Sequence, residues 1–223
     1  MGKFIELKSS DGHKFAAYLA EPAGKARGGM VMIPEIFGVN SHIKQVADGY
    51  AADGYRAVAP AMFDRAQRNY DTGYSQPEIQ AGVAIMQKLD WTQSMLDVQA
   101  AIAEAGKAGK VGIVGYCYGG TVSWMAAARA SGLACAVPYY GGGMHGLIGE
   151  KPKVPVMCNF GELDQSPTLE QAKQIAAAHP EIVAHFYAGA GHGFNCDQRG
   201  SWNADAAKLA RSRTLEFFRK HLG

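Results

Sequence analysis

Residues 110–129 read KVGIVGYCYGGTVSWMAAAR, and their reading decides the fold. Val111, Ile113 and Val114 make a short apolar run of the kind that forms a buried strand, and Gly119–Arg129 reads as a helix. GYCYGG joins the two. Val111–Ala128 carries no charge over 18 residues, near the length at which a membrane span is considered. Four glycines, a threonine and a serine interrupt it, so a strand followed by a buried helix explains it better. A strand running straight into a helix is half of a βαβ unit.

The flanking sequence repeats that alternation. Phe4–Leu7 and Lys14–Glu21 enclose the turn signal SSDGH and predict an opening hairpin. Strands are expected at Gly29–Pro34, Tyr55–Pro60, Lys110–Gly115, Leu133–Tyr139, Val154–Phe160 and Ile182–Tyr187. Helices are expected from a Ser41 cap to Gly54, through a long stretch carrying Ile85, Leu89, Leu96 and Ile102, and over Gly119–Arg129, Ser166–Ala178 and Asp205–His221. Strands alternating with helices require crossovers, hence a mainly parallel sheet covered on both faces. The pattern predicts one doubly wound α/β domain over residues 1–223.

Charge excludes some functions. Twenty-two basic and twenty acidic residues leave a net charge of +2, which argues against nucleic-acid and membrane-surface binding. The basic tail RSRTLEFFRKH is expected to be the solvated face of a last helix. MGKFIELKSSDGHKF has no apolar stretch long enough for a signal peptide. Cys117, Cys135, Cys158 and Cys196 stand far apart, with no CxxC pair and no metal-ligand spacing. Free thiols, no metal or cofactor, and a cytoplasmic setting are expected.

A cysteine is by default a small buried hydrophobe. Cys117 departs from that default by position. In a doubly wound sheet, sites form where strands end and helices begin. Gly115-x-Cys117-x-Gly119 has the spacing of a nucleophile elbow with cysteine in place of serine. The turn demands close backbone approach, hence glycines, and the following helix offers a positive dipole end to a thiolate. An elbow needs an acid and then a histidine further along the chain. Asp164, in NFGELDQSPT, follows one strand, and His192, in AGAGHGF, follows the next. A histidine moves protons near neutral pH, and a carboxylate fixes its tautomer. His145, in GGGMHG, is the rival histidine, while Asp164 could instead cap a helix, a role open also to Ser166 and Thr168.

At PEIFGVN near residue 35, GYRAVAPAMFDR, KVGIVGYCYGG, YYGGG, FGELDQSPT, AGAGHGF and RTLEFF, the chain resembles dienelactone hydrolases, a cysteine-nucleophile branch of the α/β-hydrolase fold. The resemblance implies a triad of Cys117, Asp164 and His192, with Glu35 accepting the resting thiol's hydrogen bond. Backbone N–H groups of Tyr118 and Ile36 would form the oxyanion hole. Hydrolysis of a small ester or lactone through an acyl-thioester follows. In the family two arginines grip a substrate carboxylate. Here Cys196 occupies one of those positions and Tyr74–Lys88 holds no arginine, so Arg65, Arg68 and Arg199 are the candidate replacements. Two other classes compete: a thiol-based redox or alkylation sensor, and a non-catalytic binding protein on the same fold. A small-molecule substrate and a monomer or weak homo-oligomer are expected.

Overall fold

A computed structural model describes residues 2–223; Met1, the first residue of the expected domain, lies outside the described residues. Eight strands form one sheet: β1 (Lys3–Lys8), β2 (Lys14–Ala20), β3 (Gly29–Ile33), β4 (Arg56–Pro60), β5 (Val111–Tyr116), β6 (Leu133–Tyr139), β7 (Met157–Gly161) and β8 (Val183–Tyr187). Their spatial order is β1-β2-β4-β3-β5-β6-β7-β8. The hairpin strands pair antiparallel, and every pair from β4 to β8 is parallel.

Six helices cover it: α1 (Ser41–Ala52), α2 (Gln76–Met86), α3 (Trp91–Ala105), α4 (Tyr118–Arg129), α5 (Leu169–Ala178) and α6 (Ala204–Leu222). The period-two alternation of the strands divides the core. Val31, Ile33, Val58, Val111 and Ile113 face α2, α3, α4 and α5. Met30, Met32, Ala57, Ala59, Val114 and Tyr116 face α1 and α6. Both faces are dry, which is why β3 and β5 are apolar throughout. Among the described residues no helix is long and apolar enough to cross a membrane.

Several boundaries differ from expectation, each for a local reason. Asn40, rather than Ser41, caps α1, its side chain accepting from the Ile43 N–H at 3.2 Å. The expected long helix is two. α2 ends in tight turns at Lys88 and Leu89, and Asp90 restarts the chain by accepting from the Gln93 N–H at 2.9 Å. Ile85 and Ile102 are buried as expected, but Leu89 and Leu96 are only half-buried. β7 starts at Met157, not Val154, because proline 155 has no N–H to give a ladder. α5 is capped by Thr168 in a capping box with Gln171, which leaves Asp164 free of that duty. The basic tail is amphipathic: Ala206, Ala210, Thr214, Phe218 and Leu222 bury one stripe of α6.

Candidate active site

The elbow lies where β5 meets α4, at the centre of the sheet. Cys117 sits at φ 56°, ψ −114°, a conformation that costs a non-glycine residue about 1–3 kcal/mol. Its N–H is held by the Tyr139 carbonyl at 3.1 Å. Gly115 and Gly119 permit the turn by close approach: a Cβ on Gly115 would overlap the Gly119 carbonyl, and one on Gly119 the Ile33 carbonyl. Cys117 is half-buried, whereas Cys135, Cys158 and Cys196 are fully buried. Burial pushes the Cys135 thiol up to about 12 and the Cys158 thiol up as well.

Asp164 and His192 come from the turns after β7 and β8. The Asp164 carboxylate is 3% exposed and accepts from the Ser166 N–H at 2.8 Å and from His192 Nδ1 at 3.0 Å. The Tyr140 ring, at φ 36° after β6, meets the imidazole edge-on at 5.2 Å between centroids. Burial opposes charge on His192, but the adjacent Cys117 charge and the bonds to Asp164 and Cys117 outweigh it and raise the imidazole to about 11. The structure thus brings together the three residues the motif spacing singled out. It does not bring in His145, which hydrogen-bonds Gln174 at 2.7 Å away from the pocket.

Cys117, Asp164 and His192 open on a cavity of about 420 Å³, within the range of small-molecule sites. Ile36 and Tyr118 line it too. Tyr118 is the first residue of α4, where an N–H has no intrahelical acceptor.

Glu35 is 3% exposed, not a solvated loop carboxylate. Its hydrogen bond comes from Arg199 Nη1 at 2.7 Å rather than from the Cys117 thiol that the resemblance assigned to it. Arg199 reaches the pocket from a series of tight turns through Cys196, Arg199 and Trp202. It lies over the rings of Phe37 and Tyr74, and against Gly193, where a Cβ at φ 77° would strike the guanidinium.

The other three candidate substrate contacts are elsewhere. Arg65 is held by Asp97, at 2.7 Å from both carboxylate oxygens, and by Asp11. Arg68 donates to the Lys14 carbonyl at 2.6 Å. Cys196 is fully buried behind the pocket wall, and burial pushes its thiol up to about 11. With His42 and Asp197 it forms the one cluster of potential metal ligands among the described residues, its ligand atoms within 4.8 Å of one another. The His42–Asp197 hydrogen bond at 3.1 Å already ties two of the three together.

Sequence reasoning missed the rest of the pocket. Ile79, Val83 and Met86 of α2 line it, although their helical spacing reads as core. Trp91 lines it because the chain restarts at Asp90. Only the Asp90–Gln93 cap signal could have located that break.

A cysteine elbow after β5, a carboxylate after β7 and a histidine after β8 define an α/β-hydrolase architecture. The dienelactone hydrolase family model matches residues 15–222, and the chain belongs to that family. It is a hydrolase of that class. The carboxymethylenebutenolidase of Pseudomonas putida is 31% identical to it over 96% of this chain and 94% of its own. A relative in Azospirillum brasilense is 34% identical over 98% of this chain and 99% of that one. A dienelactone hydrolase-like promiscuous phosphotriesterase, P91, from metagenomic libraries superposes with a TM-score of 0.80 at 21% identity, covering all of this chain and 99% of that one.

Proposed function

We propose that the protein hydrolyses small esters or lactones with Cys117 as nucleophile, His192 as acid and base, and Asp164 as its orienting carboxylate. The observation that carries this reading is the linkage at the elbow: a strained, half-buried Cys117 beside an imidazole whose charge Cys117 and Asp164 both favour. The thiolate attacks the carbonyl carbon, forming a C–S bond, while the carbonyl oxygen takes up charge between the Ile36 and Tyr118 amides. Collapse breaks the bond to the alcohol oxygen, which takes the imidazolium proton. Water, deprotonated by His192, then attacks the thioester, and the C–S electron pair returns to sulfur.

Glu35 has a structural part in this proposal: it fixes Arg199 at the pocket wall. Arg199 engages one carboxylate oxygen, Oε1, so the second oxygen could accept the thiol's hydrogen bond without breaking that pair. A redox sensor of the sulfenate-to-disulfide type needs a resolving thiol near Cys117, and the fully buried thiols of Cys135, Cys158 and Cys196 are poorly placed to supply one. The test is release of acid from a panel of neutral esters and lactones, with iodoacetamide as inactivator. Turnover that survives full alkylation of Cys117 overturns the reading.

A further inference from the structure

The pocket has two unlike edges, and from them we infer, resting on the hydrolytic reading above, a substrate whose acyl side is apolar and uncharged, seated against α2 and Trp91, and whose alcohol leaves along the opposite, polar edge. Ile79, Val83 and Met86 are spaced by four and then three residues, so they share one face of α2. All three are half-buried and turned to the cavity.

This wall is continuous with the oxyanion donors. On the same helix Gly82 packs so closely that a Cβ there would overlap the Ile36 carbonyl oxygen. Trp91 stacks on Tyr118 with centroids 5.7 Å apart and planes at 19°. Ile36 and Tyr118 therefore each present an amide to the reacting centre and an apolar surface beside it. The side chains that α2 and Trp91 give to this edge are all uncharged, and Arg199 lies beyond them over Phe37.

The other edge is polar and rich in backbone. The Gly143 N–H donates to Thr121 Oγ1 at 3.0 Å, and the Ser166 N–H donates to Asp164 at 2.8 Å. Gly142 abuts Ser166 so closely that a Cβ would crowd its hydroxyl. This edge runs into the Asp164–His192 pair.

The departing alkoxide must reach the imidazole, so the alcohol lies on that side. The carbonyl's other substituent then points at α2 and Trp91. An acyl chain gains by leaving water there, while a carboxylate would be buried without a partner. Both cations on the lining already have a carboxylate: His192 is paired with Asp164 at 3.0 Å and Arg199 with Glu35 at 2.7 Å.

The experiment compares kcat/KM for p-nitrophenyl acetate, butyrate, hexanoate and hemisuccinate, and for acetates of alcohols of rising length. Expected are a rise of about fourfold per methylene on the acyl side, a smaller dependence on the alcohol, and a hemisuccinate slower than butyrate. Equal rates across the acyl series, or a faster hemisuccinate, overturn the inference while leaving the hydrolase reading intact. Absence of all turnover overturns that reading instead. The pocket is then tested by titrating Cys117→Ala with hexanamide and with succinamate, reading Trp91 fluorescence against a Cys117→Ala/Trp91→Phe control. Hexanamide should bind at least tenfold tighter, and equal affinities sink the proposal. Val83→Arg, or Met86→Arg if the first does not fold, should raise the hemisuccinate-to-hexanoate ratio at least tenfold; an unchanged ratio in a folded variant removes α2 from the acyl site.

Discussion

The two sides of the cavity are built on different principles. On one side Cys117, Asp164 and His192 each stand within a few residues of a parallel strand's end; backbone hydrogen bonds to Tyr139, Gly161 and Ser166 lock the first two, and the Asp164 carboxylate holds the His192 imidazole. On the other, α2 and Trp91 are held by side-chain packing on Ile36 and Tyr118 across a break in the helical run. The first side needs angular accuracy, and the sheet supplies it because neighbouring strand ends are fixed by the ladder. The second needs only shape and apolarity, which a half-buried helix face supplies and can vary without disturbing the chemistry.

Breaking the locked side should have the largest effect. Cys117→Ala is expected to reduce ester hydrolysis to background with an unchanged circular dichroism spectrum, since the substitution removes one sulfur and leaves both elbow glycines in place. Iodoacetamide should label Cys117 ahead of the three buried thiols, as mapped by peptide mass spectrometry. An alanine variant that retains turnover would refute the thiol mechanism.

His192→Ala should lose at least about 10³-fold in kcat, and Asp164→Asn about 10³- to 10⁴-fold, because a misoriented imidazole or the wrong tautomer cannot move the proton. If His145→Ala is the inactive variant and His192→Ala is not, the assignment of the base is wrong.

Charge selection sharpens the contrast between the two sides at smaller amplitude. A charge-assisted fork to a carboxylate contributes about 1.5–3 kcal/mol when it is free to form. Here Arg199 is engaged by Glu35, and Arg65 and Arg68 are bound elsewhere. A carboxylate-masked dienelactone should therefore be hydrolysed at least as well as the free acid, judged by kcat/KM. A strong preference for the acid would mean that Arg199 binds the substrate carboxylate, and Arg199→Gln would then abolish that preference while Arg65→Gln would not.

The smallest effect is on titration. The Cys117 charge helps hold His192 up to about 11 against burial. In Cys117→Ala the burial remains and that charge is gone, so the His192 resonance should titrate at a lower pH than in the wild type, followed by NMR. An unchanged midpoint would show that Asp164 alone sustains the imidazolium.

Much of the locked side was legible in the chain. Gly115-x-Cys117-x-Gly119 announces a tight strand-to-helix turn because only glycine tolerates that backbone approach. Asp164 and His192 could be found because each follows an apolar β-run directly. Both are local signals, and the order of strands and helices set the fold class in the same way. What the sequence alone determined is therefore the architecture and the strand ends at which the proposed triad stands.

The tertiary structure decided which cation enters the site and what the opposite wall is made of. Arg65 and Arg68 were as plausible by position as Arg199, but the two turns from Gly193 to Cys196 and from Cys196 to Arg199 carry only Arg199 back over Phe37. Nothing in the spacing of Ile79, Val83 and Met86 distinguishes a core face from a pocket face. The difference arises where Asp90 stops one helix and starts another, bringing Trp91 onto Tyr118 and leaving a cavity instead of a packed seam. Pocket walls are assembled from residues far apart in sequence, and which surfaces meet depends on packing across the whole sheet; elbow geometry depends on five consecutive residues.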